Sequence, residues 1–322
     1  MAVYTKINNK HISLIEKTFY IEKIISFKGI RKGIENTNYI LKTKKQKYIL
    51  TIFEKRVHSK DLPFFMNLMH GLSKLKIKCP EPLATTKGNY LFKIKNKNAC
   101  IVTFLEGKDK HELSSKDCYT VGKNIAKLHI ASKKLKLFRK NSLSLNGWSK
   151  LLNKIDYRSK KIHFNLITLM KTNLSEIKKN WPKNLPRGII HGDLFIDNIF
   201  FYKNKFYGFI DFYFSSSDFL SYELAICINA LCFIKKKNKF ILDKKKSSNF
   251  LRGYQTLRKL TINEKKYFNV LCKGAALRYL LTRVYDYSNT PKHAIIKIKD
   301  PKEYIQKLLF HSKINLFKKY IN

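Results

Sequence analysis

The 322-residue chain is 44% hydrophobic and carries 66 Lys and Arg against 22 Asp and Glu, a formal net charge of +44 at pH 7. Its length and apolar content suit one large or two modest folded domains rather than a disordered chain, and no run approaches the ~18 consecutive apolar residues of a membrane span. The charge would attract any polyanion; yet it is mostly lysine spread along the whole chain, beside abundant Ile, Asn, Phe and Tyr, all residues of AT-rich codons, and no finger, RRM-like or basic-heptad pattern accompanies it. Neither a specific nucleic-acid partner nor a membrane partner is expected.

Met1 to Lys10 lacks the apolar segment of a secretory signal, so a cytoplasmic location is expected. From Phe19 to Phe53, β-rich runs alternate with turns: Phe19 to Phe27, Gly29 to Gly33, Asn38 to Lys42 and Tyr48 to Phe53. Behind a cap at Asp61, the residues Leu62, Phe65, Leu68, Met69 and Leu72 recur at helical spacing. Strand character returns at Leu91 to Ile94 and Ala99 to Leu105. The first ~105 residues therefore read as a small antiparallel sheet with one helix.

After Gly107 the pattern becomes helical. Lys116 to Ser132 places Cys118, Val121, Ile125 and Leu128 on one face, and further helices are expected over Trp148 to Lys178, Tyr222 to Ile234, Lys245 to Lys259 and Glu264 to Tyr287. The fold class is α+β, with domains 1–104 and 105–322. The six cysteines (Cys79, Cys100, Cys118, Cys227, Cys232 and Cys272) show no metal or disulfide spacing and read as reduced, buried thiols.

One β-rich exception, between Ile189 and Phe214, carries the chemistry. His191-Gly192-Asp193-Leu194-Phe195-Ile196-Asp197-Asn198 forms a polar loop between two apolar runs. Ile199 to Tyr202 and Phe206 to Ile210 then flank Lys203-Asn204-Lys205, the pattern of a hairpin ending in Asp211. A hairpin centred near Asn204 would set Asn198 opposite Asp211 or one place off. An amide oxygen and a carboxylate so placed suit Mg²⁺, which binds one or two protein oxygens plus substrate phosphates. Asp193, five residues before Asn198, is then the group that orients an acceptor hydroxyl and takes its proton, the catalytic-loop logic of phosphoryl transfer from ATP. Asp197 reads as loop-shaping, His191 as a hydrogen-bonding support of the loop, and His129 as a satisfied core residue.

On these residues the chain resembles the aminoglycoside phosphotransferase and choline kinase superfamily, whose signature is H-G-D-x-x-x-x-N followed by I-D. Within it, the sequence looks like the bacterial homoserine kinase branch. The resemblance runs nearly end to end through Gly33 to Tyr39, Ile49 to Glu54, Asp61 to Phe65, the catalytic loop, Ile210 to Tyr213 and Ala276 to Tyr279. It implies a bilobal, protein-kinase-like fold, ATP and Mg²⁺ as cofactors, Asp193 as catalytic base, and Asn198 and Asp211 as metal ligands.

In the first lobe Gly29 and Gly33 bracket a turn that either covers the ATP phosphates or is a plain turn. Kinases place a Lys on the next strand, paired with a Glu on the following helix. Here that strand position is Thr51 and the helix has no acid, so both partners are absent together. Arg31, Lys32, Lys47 and Lys55 are alternative phosphate cations. Phe104-Leu105-Glu106-Gly107 resembles the hinge that meets adenine, and Glu223 stands where the superfamily has an Asp supporting the catalytic loop.

The implied acceptor is homoserine, a zwitterion with one hydroxyl. Arg278 and Arg283, on an otherwise apolar helix, either hold its carboxylate or form internal salt bridges, for instance to Glu223, and Tyr213 is a candidate pocket residue. Choline or an aminoglycoside is the alternative acceptor, and a basic, pseudokinase-like binding protein the alternative from another class. A monomer or homodimer is expected.

Overall fold

The computed structural model describes residues 4–30, 36–54, 57–155, 164–289 and 299–321. The chain packs as two compact units. One comprises Met1–Lys108, Leu135–Leu137 and Phe200–Tyr213, and the other Asp109–Lys134, Phe138–Ile199 and Phe214–Asn322.

The first unit opens with helix α1 (Asn9–Thr18), then strands β1 (Ser26–Gly29), β2 (Thr37–Lys42) and β3 (Lys47–Ile52), helix α2 (Leu62–Lys74), and strands β4 (Phe92–Ile94) and β5 (Lys97–Thr103). The five strands form one sheet in the order β1-β2-β3-β5-β4, antiparallel throughout. Alternation sets its burial: Tyr39, Leu41, Tyr48, Leu50, Ile52 and Ile101 enter a core that α1 completes with Ile12 and Ile15. Helix α2 is apolar on most sides, with Leu62, Phe64, Phe65, Met66, Leu68, Met69 and Leu72 all buried.

Chain order then gives α3 (Ser115–Lys133), α4 (Leu145–Asn153), α5 (Phe164–Asn180), β6 (Arg187–Ile190), β7 (Ile199–Tyr202), β8 (Lys205–Phe209), β9 (Ser216–Phe219) and α6 (Leu220–Leu231). β10 (Phe233–Lys236), β11 (Lys239–Leu242), α7 (Lys244–Gln255), α8 (Ile262–Asn289) and α9 (Lys302–Ser312) complete it. In the second unit α6 is almost wholly buried and packs with α4, α5 and α9 around the long α8. Trp148, Trp181 and Tyr222 meet edge-on or tilted there, with ring centroids 5.2–6.2 Å apart.

The α+β class, an antiparallel sheet unit and a mainly helical unit, matches the sequence reading, although the sheet unit carries two helices and also takes in Leu135–Leu137 and Phe200–Tyr213, so the division does not fall at one point near residue 104. Several elements differ from that reading. Helix α1, helix α9 and the β10–β11 hairpin were not expected, and the stretch over Trp148 to Lys178 contains two helices, the first ending at Asn153. The β7–β8 turn is the two-residue Lys203-Asn204, both at positive φ (47° and 61°), a type I′ geometry. Its centre lies between these residues, so each cross-strand partner shifts one position from a hairpin centred on Asn204.

All six cysteines are unpaired and buried. No helix among the described residues is long and apolar enough to cross a membrane.

Candidate active site

Strand β6 ends in the buried pair Ile189 and Ile190 and is held antiparallel by β9, Ile190 opposite Ser216. The chain then leaves the sheet as the loop His191 to Phe195 and closes with a single 3₁₀ turn, Ile196–Asn198. A loop inside a protein must find partners for its backbone polar groups, and here α6 and α8 supply them. Glu223 of α6, fully buried, accepts the N–H of His191 and that of Gly192 (3.1 Å). From α8, Arg278 NH1 donates to the Gly192 carbonyl at 2.7 Å. The peptide before Asp193 is therefore gripped at both ends.

Gly192 sits at φ +78°, and a Cβ there would lie 2.9 Å from the Phe214 carbonyl oxygen. The position needs glycine for its backbone conformation and for its space. His191 keeps to the loop: its Nδ1 accepts the Asp193 N–H at 3.3 Å.

Asp193 is tied at both carboxylate oxygens. Asn198 Nδ2 donates to the Asp193 carbonyl at 2.8 Å and to Oδ2 at 3.3 Å, and the Tyr279 hydroxyl reaches Oδ1 at 3.3 Å. With its amide nitrogen so used, Asn198 retains Oδ1 as an oxygen donor. Burial pushes the Asp193 carboxyl above the ordinary carboxylate range, against the opposing pull of Arg278, His191 and Lys299.

Of the two α8 arginines, Arg278 gives NH1 to Gly192 while its buried Nε has no hydrogen-bond partner among the described residues, and Arg283 pairs with Glu303 at 2.7 Å while donating to the Asp300 carbonyl at 2.8 Å. The acid facing Arg283 is thus Glu303, not Glu223. His129 is a buried core residue whose Nδ1 meets the Tyr254 hydroxyl at 2.9 Å, and burial depresses its pKa.

In the sheet-bearing unit, Asp211 follows β8 in the left-handed region (φ +64°), which an aspartate tolerates better than most residues, and its side chain is exposed. Two residues on, the Tyr213 ring packs edge-on against Phe53 and Phe65, centroids 5.0 and 5.8 Å away, and its hydroxyl meets Cys100 Sγ at 3.6 Å. Thr51 is 2% exposed, with Oγ1 donating to Asn38 Oδ1 at 2.8 Å. Thr51, Asn38, Cys100 and Tyr213 form a closed cluster, at the strand position that the sequence reading sets against the kinase lysine.

Gly29 ends β1, opposite Tyr39. Gly33, Arg31, Lys32 and Lys55 lie outside the described residues. Lys47 reaches over the Phe104 ring, 5.1 Å from its centroid.

The segment after β5 is fixed at both ends. Phe104 N–H bonds Lys47 O at 3.2 Å, and Lys108 exchanges two backbone bonds with Phe201. Gly107, at φ +107°, comes so close to the Phe201 carbonyl that a Cβ would sit 2.6 Å away. Between these anchors, Leu105 and Glu106 spend no backbone N–H or C=O on hydrogen bonds among the described residues, which leaves an edge able to pair with a planar base.

Among the described residues no three His, Cys, Asp or Glu side chains gather as a metal-binding group. The donor set expected from the sequence, one amide oxygen and one carboxylate, fits a hard cation that keeps waters and phosphate oxygens. The sequence reading passed over Tyr279. The available signal was its place beside Arg278 on an apolar helix, where two adjacent polar groups need a shared polar partner.

Comparison with known proteins gives the family and the fold. Residues 26–260 match the model of the phosphotransferase enzyme family. A homoserine kinase of Brucella anthropi is 40% identical over 320 residues, covering 99% of this chain and 97% of that protein. Among solved structures, the amicoumacin kinase hAmiN in complex with AMP-PNP, Ca²⁺ and Ami superposes with a TM-score of 0.70 at 14% identity, covering 96% of this chain and 92% of that one. The choline kinase of Cryptosporidium parvum gives 0.68 at 16% identity, with 97% and 95% covered. The fold is that of these kinases, and the chain belongs to the phosphotransferase enzyme family.

Proposed function

We propose that this protein transfers the γ-phosphoryl group of ATP to the side-chain hydroxyl of L-homoserine, giving O-phospho-L-homoserine, as a cytoplasmic step of threonine biosynthesis. The observation that carries the reading is the 40% identity to a homoserine kinase across essentially the whole of both chains, in a chain whose Asp193 is fixed at both carboxylate oxygens.

The residues divide the work as follows. Asp193 accepts the hydrogen bond of the homoserine hydroxyl, aims its oxygen in line with the γ-phosphorus and takes the proton late, when the new P–O bond has formed. Positioning of this kind supplies much of the rate in phosphoryl transfer. Asn198 through Oδ1 and Asp211 through its carboxylate would hold Mg²⁺, which neutralises charge on the transferring phosphoryl group. Glu223 and His191 maintain the loop that carries Asp193.

On the nucleotide side, the free backbone edge at Leu105 and Glu106 supports adenine binding beside Phe104, with Gly29 and Gly33 assigned to the phosphates and Thr51, its hydroxyl held by Asn38, contributing shape. Arg278 and Arg283 remain in the proposal as cations of the acceptor end. Arg283 already meets Glu303 and the Asp300 carbonyl, whereas Arg278 gives NH1 to Gly192 and keeps a buried Nε with no hydrogen-bond partner among the described residues; both lend positive charge to the acceptor end. Tyr213 contributes shape.

A panel of acceptors at fixed ATP and Mg²⁺ tests the reading. ADP release should require L-homoserine, with choline and an aminoglycoside near background. Turnover of either of those without turnover of homoserine would sink it.

A further inference from the structure

Tyr279 has no part in the reaction as described so far. Its hydroxyl stands 3.1 Å from the Gly192 carbonyl oxygen and 3.3 Å from Asp193 Oδ1. A hydroxyl has one proton to give, so it serves one acceptor at a time. The Gly192 carbonyl already receives Arg278 NH1 at 2.7 Å, and a carboxylate is the better acceptor of the two. The adjacent residues of α8 therefore divide the loop between them, Arg278 taking the carbonyl and Tyr279 the carboxylate.

We propose that Tyr279 is a positioning residue of the phosphoryl transfer, fixing the plane of the Asp193 carboxylate by holding Oδ1 while Asn198 holds Oδ2. Among the described residues these are the two side chains that hydrogen-bond the carboxylate. The others that act on it, Arg278, His191, Lys299 and Asp197, do so through their charge.

The tyrosine is itself immobile. It is 7% exposed, Phe195 meets its ring edge-on at 4.8 Å and 90°, the Arg278 guanidinium lies 4.6 Å from its centroid, and Tyr304 packs 5.3 Å away. Burial holds its phenol well above the usual range, so it stays a donor at any working pH. A carboxylate held at one oxygen swings about its Cβ–Cγ bond and meets the acceptor hydroxyl in line only part of the time. The cost falls on turnover rather than on substrate affinity.

The inference rests on the assignment of Asp193, and its test separates the two. Tyr279→Phe keeps the ring and its packing. It should lower kcat at least about tenfold, with KM for acceptor and ATP within about threefold and Tm within about 2 °C. In an Asp193→Asn background the same change should cause no further loss, since the group it positions is already gone.

A kcat within twofold of wild type overturns the proposal, as does an undiminished Tyr279→Phe loss in the Asp193→Asn background, or a fall in kcat matched by a fall of several degrees in Tm. Wild-type turnover is measured first. If the acceptor proves to be another alcohol, the homoserine reading fails and the Tyr279 comparison is made on that alcohol.

Discussion

In the loop from His191 to Asn198, buried polar groups are matched one by one: Glu223 on two N–H groups, Arg278 on a carbonyl, Asn198 and Tyr279 on a carboxylate. Around Thr51 in the sheet the same problem is met by subtraction. Among the described residues no ion pair is buried there, and the space is filled by a threonine, a thiol, a tyrosine edge and the apolar face of α2. A buried ion pair is retained only where its charge has work to do, because desolvation of both partners offsets most of the attraction. The first region thus keeps charge around the proposed base; the second closes around Thr51 with no charged pair.

That contrast can be broken by substitution, and the largest effect should fall on Asp211. As the one proposed chemical ligand of the sheet-bearing unit, its change to Ala should lower kcat by about 10³-fold and raise the Mg²⁺ concentration needed for half-maximal rate. Retention of both parameters would remove Asp211 from the chemistry. Next is Glu223→Gln. An amide has one acceptor oxygen where the carboxylate had two, and its NH₂ would face the His191 and Gly192 donors. A loss of ~1–3 kcal/mol in stability is expected, with kcat down by about 10²-fold through displacement of Asp193, read by denaturant melts and steady-state rates.

Gly192→Ala places a Cβ at φ +78° and 2.9 Å from the Phe214 carbonyl oxygen. About 1–2 kcal/mol of strain should appear, with a fall in kcat larger than the fall in Tm would account for. The smallest effect belongs to Thr51→Val, which removes the bond to Asn38 Oδ1. About 1 kcal/mol of stability should go, while KM for ATP stays within about threefold. A rise of tenfold or more would show that the threonine hydroxyl, and not shape alone, serves the nucleotide.

The pattern of the proposed catalytic loop is legible because its information is local: an aspartate, an asparagine five residues later and a hairpin carrying one more carboxylate are all visible along the chain. Its supports are not local. The place of Tyr279 beside Arg278 on an apolar helix signals that its hydroxyl needs a polar partner, but not that the partner is a carboxylate 86 positions earlier. Helix α9 escaped notice for a different reason. Its buried face is Tyr304, Lys307, Leu308 and His311, so two of four inward positions are polar and the apolar period vanishes.

Lys307 is satisfied by Glu303 and the Asn229 carbonyl, and His311 by Tyr320 and Asn229 Oδ1, partners that appear only after folding. Burial drives the His311 pKa down to about 3, so it behaves as a neutral core residue. Helix α1 buries only Ile12 and Ile15, too few to register as a stripe.

Turns tell a similar story. Lys95-Asn96 and Lys203-Asn204 take positive φ at both positions, and Lys237 does so between β10 and β11. The Lys-Asn pair recurs where two strands reverse, although only one of the three was read as a turn. In a chain so rich in lysine and asparagine the dipeptide carries little contrast, and the lysine-heavy β10 and β11 lacked the alternation that would have framed it.

The most direct test of the central claim is the phosphoryl transfer itself, followed by ³¹P NMR with L-homoserine, ATP and Mg²⁺, for the wild type and for Asp193→Ala at matched nucleotide occupancy. The wild type should accumulate a phosphomonoester resonance belonging to O-phospho-L-homoserine, and the variant should bind ATP normally yet form that product at least about 10³-fold more slowly. Product formation by the variant at near wild-type rate would contradict the assignment of Asp193 and the account built on it.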